Sequence, residues 1–380
     1  MPGNTSDPKS DSGGKAAGAY TLAEILSQPQ TWSASLKFLR EGRKLEEIQQ
    51  QFSGSQPAAP QWLFVGCGSS YYVALSAAAS MRMLARQPAW AVAASEVLLY
   101  PELVLGPAKN VVAVLISRSG LTSEVLRAAE LLKKRGVPTI AVSCAAGQPL
   151  EKLTSAAIVM PAVEEQSTVM TRSFTSMLLS LQVLAARVSG NSAFIDALAQ
   201  MADDAEAALE SLPDRVGEFV GSHGFDDYVC LGQGPFYGIA CEAALKATEM
   251  SVSYAQSFHT LEFRHGPKSI VSPETLLVFL ISDTGYEAEC ELLQEMKALG
   301  GTTLAITNRA DARVRASADL LVELSLDGPE LARLVCYLVP AQLLGLYTGL
   351  QKGEDPDRPR NLSRVVVLES EKSKPEHAAL

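Results

Sequence analysis

Trp62-Leu63-Phe64-Val65 runs directly into Gly66-Cys67-Gly68-Ser69-Ser70-Tyr71, a short apolar run followed by a turn of glycine and serine. An apolar run of this length reads as a buried strand, and glycines straight after it let the chain turn tightly into the alanine-rich helical stretch that follows. The same order returns in Tyr228-Val229-Cys230-Leu231-Gly232-Gln233-Gly234-Pro235-Phe236-Tyr237. An offset of 166 maps Gly66, Gly68, Tyr71, Ala74, Ala77 and Ala78 onto Gly232, Gly234, Tyr237, Ala240, Ala243 and Ala244. An offset of 165 maps Ile116-Ser117, Gly120 and Gly136 onto Ile281-Ser282, Gly285 and Gly301. The chain reads as two copies of one domain.

Around the repeated turn, the first copy is predicted to contain strands at Trp62 to Val65, Val111 to Ile116, Thr139 to Val142 and Ile158 to Pro161. Those of the second copy are Tyr228 to Leu231, Leu276 to Ile281, Thr303 to Ile306 and Leu320 to Leu324. Helical patterns of 10–20 residues separate them, the signature of βαβ units and a parallel sheet in an α/β fold. Residues 1–18 lack apolar content and are expected to be a disordered tail. Thr21-Leu22-Ala23-Glu24 looks like a capping box opening a helix that Gln28-Pro29-Gln30 interrupts, and a further helix spans Ser33 to Phe52. Helical runs at Thr171 to Ser189 and Phe194 to Leu212 lead to a domain boundary near Pro213.

The 380 residues carry 32 Lys and Arg against 42 Asp and Glu, a net charge of −10 that argues against a nucleic-acid-coating protein. Six cysteines at 67, 144, 230, 241, 290 and 336 form no CxxC pair, so neither a zinc site nor a secreted disulfide scaffold is indicated and a cytoplasmic setting is expected. No signal peptide is visible, and Leu331 to Leu350 contains Arg333, Pro340 and Gln342, which favours a buried helix over a membrane span.

The two copies differ in chemistry. Ser117-Arg118-Ser119-Gly120-Leu121-Thr122-Ser123 offers four hydroxyls at a strand-to-helix junction, and Ser70 adds another from the neighbouring turn. One hydroxyl suffices for an N-cap; several hydroxyls beside helix N-termini suit the oxygens of a phosphate ester. Gly66-x-Gly68 lacks the third glycine and the acidic residue of a dinucleotide site. The second copy has Ser282-Asp283-Thr284-Gly285-Tyr286-Glu287, where Asp283 and Glu287 would repel a phosphate, so binding is expected in copy one alone. Instead copy two carries Glu242, Lys246 and Glu249, whose spacings of four and three place them on one helical face among small apolar residues. A partly buried Glu beside Lys is a credible proton-transfer group. His265 lies in a charged loop, Glu262-Phe263-Arg264-His265-Gly266-Pro267-Lys268.

These motifs, together with Pro359-Arg360-Asn361-Leu362, resemble the double sugar isomerase (SIS) domain family. That group includes the isomerase half of glucosamine-6-phosphate synthase, isomerase-type glucosamine-6-phosphate deaminases and tagatose-6-phosphate ketose/aldose isomerases. The resemblance spans about Thr21 to Leu368. It implies two tandem SIS domains, each a flavodoxin-like parallel sheet sandwiched by helices, at 53–213 and 214–368. A helical segment at 19–52 precedes them and a tail at 369–380 follows.

The resemblance further implies that Ser70, Ser117, Ser119 and Thr122 hold the phosphate, with Arg118 where the synthase has glutamine. Glu249 is the implied base between C1 and C2, Lys246 its electrostatic partner, and His265 the ring-opening residue lent by the other subunit of a homodimer. No cofactor or metal is implied. Arg364 stands where the synthase has a lysine and keeps the charge without a nucleophilic amine. Arg364 and the Phe263–Ser269 loop look closer to the tagatose group, whereas Glu262 follows the synthase and deaminase pattern. With no glutaminase domain expected ahead of the repeats, the expected reaction converts a hexosamine 6-phosphate to a ketose 6-phosphate and ammonia. The alternatives are plain aldose-ketose isomerisation and a phosphosugar sensor.

Overall fold

The computed structural model describes residues 16–53, 59–108 and 110–368; residues 1–15 and 369–380 of the expected tails lie outside these. Five strands, β1 (Gln61–Gly66), β2 (Ala89–Ala93), β3 (Val111–Ile116), β4 (Thr139–Ser143) and β5 (Ala156–Val159), form the first sheet. The second contains β6 (Asp227–Gly232), β7 (Tyr254–Phe258), β8 (Thr275–Ile281), β9 (Thr302–Thr307) and β10 (Leu320–Glu323). Their orders, β2-β1-β3-β4-β5 and β7-β6-β8-β9-β10, are the same, and all neighbours run parallel. This is the flavodoxin-like doubly wound order, present twice. Helices cover both faces, which is why β3 and β8 are apolar and buried without alternation.

The sequence reading misses β2 and β7, the half-buried outer strands beside β1 and β6. β5 also starts earlier than expected and stops at Val159, because Pro161 opens a short 3-10 turn. The expected capping box is absent. Helix α1 (Ala19–Leu26) begins before Thr21, whose N–H and hydroxyl donate to Asp357, while Glu24 accepts from the N–H groups of Gln166 and Ser167. Pro29 opens α2 (Gln28–Glu41) rather than breaking it, since a first-turn proline lacks only an N–H that has no helical partner. The long helix expected to Phe52 is split into α2 and α3 (Lys44–Ser53).

α4 (Ser69–Ala85) and α5 (Ser123–Lys134) follow β1 and β3, α6 (Arg172–Val188) closes the first copy, and α7 (Phe236–Ser251) follows β6. One helix pair, α4 with α7, brings the copies together. α8 (Tyr286–Ala298) follows β8 in the second copy, whereas α7 lies between α4 and α9 (Leu338–Gln351). Gly238 of α7 meets α4 so closely that a Cβ would stand 2.7 Å from the Tyr72 carbonyl oxygen and also strike Ser76. On the other side a Cβ at Gly345 of α9 would stand 2.9 Å from the Lys246 carbonyl oxygen. The small residues of α7 are therefore explained by helices on both sides. Glu330–Gln351 is the one stretch among the described residues long and apolar enough to cross a membrane, and 94% of its apolar window is buried in the protein.

Candidate active site

In a 2-1-3-4-5 sheet, the connections from the first and third strands leave in opposite directions and open a crevice at their carboxyl ends. A cavity of about 210 Å³ occupies that place in copy one. Ser70, Arg118, Ser119 and Thr122 line it from the two turns, Glu249 lines it from copy two, and Arg364 lines it from the C-terminal segment. The N-termini of α4 and α5 flank the cavity, and the positive end of each helix dipole favours an anion. Ser117 lies buried beneath, its hydroxyl 3.0 Å from Thr122 Oγ1. Gly120, at φ 65, holds the turn in a conformation that side chains resist.

Behind Glu249 stands a buried charge relay. The Lys246 ammonium contacts the Glu249 carboxylate and lies 3.2 Å from Glu242 Oε1, and the Ser69 hydroxyl donates to that same oxygen at 3.0 Å. Ser69 comes from copy one, so the relay spans the copies. Burial pushes the Glu242 carboxyl up to about 8, against the pull of Lys246. Burial would also lower Lys246, but the two carboxylates outweigh it and hold the ammonium above its usual range. Lys246 is thus a cation at neutral pH that can offset charge but cannot serve as a base.

A carboxyl raised from 4.5 to about 8 favours folding in its protonated form; that contribution is whole below pH 4.5 and lost as pH rises through 8. Glu289, pushed to about 7 by burial, acts in the same direction. Glu242→Gln should therefore show a smaller fall in thermal midpoint between pH 4.5 and 8 than the wild type, measured by calorimetry. Equal slopes would refute the assignment.

Arg118, Arg364 and His265 sit differently from their implied roles. Arg118 turns its guanidinium away from the hydroxyls: Nη1 lies 2.8 Å from the buried Glu165 carboxylate, and Nη2 donates to the carbonyls of Thr168 and Arg364. Its charge is consumed in holding the cavity wall, which the sequence reading missed in both Glu165 and Thr168. Arg364 lines the cavity through the same segment, and its guanidinium bonds the Glu165 carbonyl and lies 3.6 Å from Glu164. His265 is exposed, follows the 3-10 turn Thr260–Arg264 and is not among the residues lining the cavity. Its loop is pinned by Arg264 and Lys268, each 2.7 Å from Glu295. Among the described residues, no group of three His, Cys, Asp or Glu is placed to hold a metal ion.

The SIS domain family model matches residues 58–187 and 227–347, one match on each sheet. The chain belongs to the SIS domain family. Glucosamine-6-phosphate deaminase from Thermotoga maritima superposes with a TM-score of 0.75 at 30% identity, covering 92% of this chain and 100% of that one. Tagatose-6-phosphate ketose/aldose isomerase from Escherichia coli gives 0.80 at 24% identity over 94% and 99% of the two chains, a likeness of fold. Glutamine--fructose-6-phosphate aminotransferase [isomerizing] of Pyrobaculum aerophilum is 28% identical over 92% of this chain, which spans 58% of that relative's length.

Within this SIS pair the second crevice is built differently. Ser282 at the end of β8 gives its N–H to Glu289 at 2.6 Å, and Thr284 gives its N–H and hydroxyl to Glu330 at 3.0 and 2.8 Å. The carboxylates named from sequence point elsewhere, Asp283 to Arg333 and Glu287 to Arg313. Glu289 and Glu330 escaped notice because nothing local marks them as partners of the turn.

Proposed function

We propose that the protein converts a hexosamine 6-phosphate into a ketose 6-phosphate and ammonia. The observation that carries this reading is that Glu249 of copy two lines the same cavity as the hydroxyl turn of copy one. A phosphate held by Ser70, Ser117, Ser119 and Thr122 fixes one end of the sugar, so that C1 and C2 lie against Glu249. Glu249 takes the C2 proton of the open-chain aldehyde, and the C1 oxygen gains a proton to give an enolamine. Return of a proton to C1 leaves an iminium at C2, which water hydrolyses to the ketose and ammonia. Lys246 offsets the charge at Glu249 and keeps its carboxylate placed. His265, which does not line its own chain's cavity, opens the sugar ring from the partner subunit of a homodimer. Likeness to the Thermotoga deaminase over all of that chain's length supports the deaminating outcome.

Incubation of the pure protein with glucosamine 6-phosphate and galactosamine 6-phosphate should release ammonia and ketose 6-phosphate in equal amounts. Neither product from either sugar would refute the reading. A second reading, aldose-ketose isomerisation without ammonia, is favoured by Arg364, which brings no amine able to form an imine. Turnover of aldose 6-phosphates with no ammonia from the amino sugars would select it.

A further inference from the structure

We propose that copy two retains an anion cradle built like that of copy one, and that Glu330 closes it so that each chain takes a single phosphate. The two turns occupy matching places, Ser117–Gly120 at the end of β3 and Ser282–Gly285 at the end of β8. Each leads into a helix, α5 of 12 residues and α8 of 13, so each points N–H groups at its crevice. In copy two the donors are already occupied. One carboxylate, that of Glu330, accepts both the N–H and the hydroxyl of Thr284, the two-oxygen grip that a phosphate monoester would make with the same groups.

Two further observations point to a ligand-sized site. A cavity of about 660 Å³ adjoins the turn at Asp283 and is lined by two cations, Arg309 and Arg333, and by the carboxylates of Asp283, Asp311 and Asp327. Arg333 is 3% exposed, and its Nε has no hydrogen-bond partner. Its Nη1 donates to the carbonyls of Leu326 and Gly328, and its Nη2 pairs with the half-exposed Asp283. A buried guanidinium with an unused donor beside a hydroxyl turn suits an oxyanion. Glu289 fills the deeper part: it accepts from Ser282, and its Oε1 is buried without a partner. Glu330 arrives from 46 residues away in sequence and is only partly buried, so it is the removable member.

This rests on the reading that copy one binds phosphate, and the experiment separates the two. Bound inorganic phosphate per chain is counted by equilibrium dialysis for the wild type, Glu330→Ala, and Glu330→Ala combined with Ser119→Ala and Thr122→Ala. The expected counts are one, two and one. Glu330→Ser, which shortens the side chain and removes the carboxylate, repeats the count if the alanine variant unfolds, as judged by its thermal midpoint. One phosphate on both wild type and a folded Glu330 variant overturns the proposal, as does a wild-type count of two. None on the wild type and one on the Glu330 variant would keep the second cradle and sink the reading of copy one. None on either would sink both.

Discussion

Glu249→Gln should lower turnover of hexosamine 6-phosphate by about 100- to 10,000-fold while changing substrate affinity little. The amide fills the same space and still faces Lys246, whose ammonium remains 3.2 Å from Glu242 Oε1. All the proposed phosphate donors lie in copy one, away from the altered side chain. Loss of a group that accepts a proton only during reaction reduces kcat and kcat/KM together. A protein that senses phosphosugars would keep its full ligand response in this variant and show no turnover to lose. Undiminished turnover in Glu249→Gln would remove Glu249 from the mechanism.

The second large effect is expected at a residue that touches no substrate. Gly238→Ala places a methyl group 2.7 Å from the Tyr72 carbonyl oxygen, and α7 must move off α4 to accommodate it. Overpacking of this kind costs about 1–3 kcal/mol. α7 also carries Glu249, whereas α4 begins at the phosphate turn, so the shift separates base from substrate. A displacement of about 1 Å is enough for roughly a 100-fold loss in rate. Binding of inorganic phosphate should be preserved, because its donors stay together in copy one. Gly224→Ala, where a Cβ meets nothing within 4 Å, is the control and should leave both stability and rate near wild type. Wild-type kcat in a destabilised Gly238→Ala would show that the α4–α7 contact does not position the base.

The duplication was legible because each strand-turn-helix unit is local: Gly66 and Gly232 sit at tight turns where a Cβ would meet backbone, and the residues after them must pack closely. The inner strands were legible for a related reason, since strands buried on both faces are continuously apolar. β2 and β7 were not, being half-buried outer strands with mixed patterns such as Tyr254-Ala255-Gln256-Ser257-Phe258. Thr21 and Glu24 have capping-box spacing, but bonds to Asp357 and to Ser167 claim them instead. The hydroxyl turn and the Glu242-Lys246-Glu249 row could be read from spacing within one element. Which groups face them from elsewhere could not. Glu165 reaching Arg118 and Glu330 reaching Thr284 are long-range pairings set by how loops pack against the sheets.

The central claim is a division of labour, phosphate on copy one and proton transfer from copy two across a shared cavity. A crystal structure of Glu249→Gln soaked with glucosamine 6-phosphate tests it most directly. The expected result is phosphate density at Ser70 and the Ser117–Thr122 turn, with C1 and C2 against the amide of residue 249. Phosphate density at the Ser282–Gly285 turn, or a sugar lying with C1 and C2 away from residue 249, would contradict it.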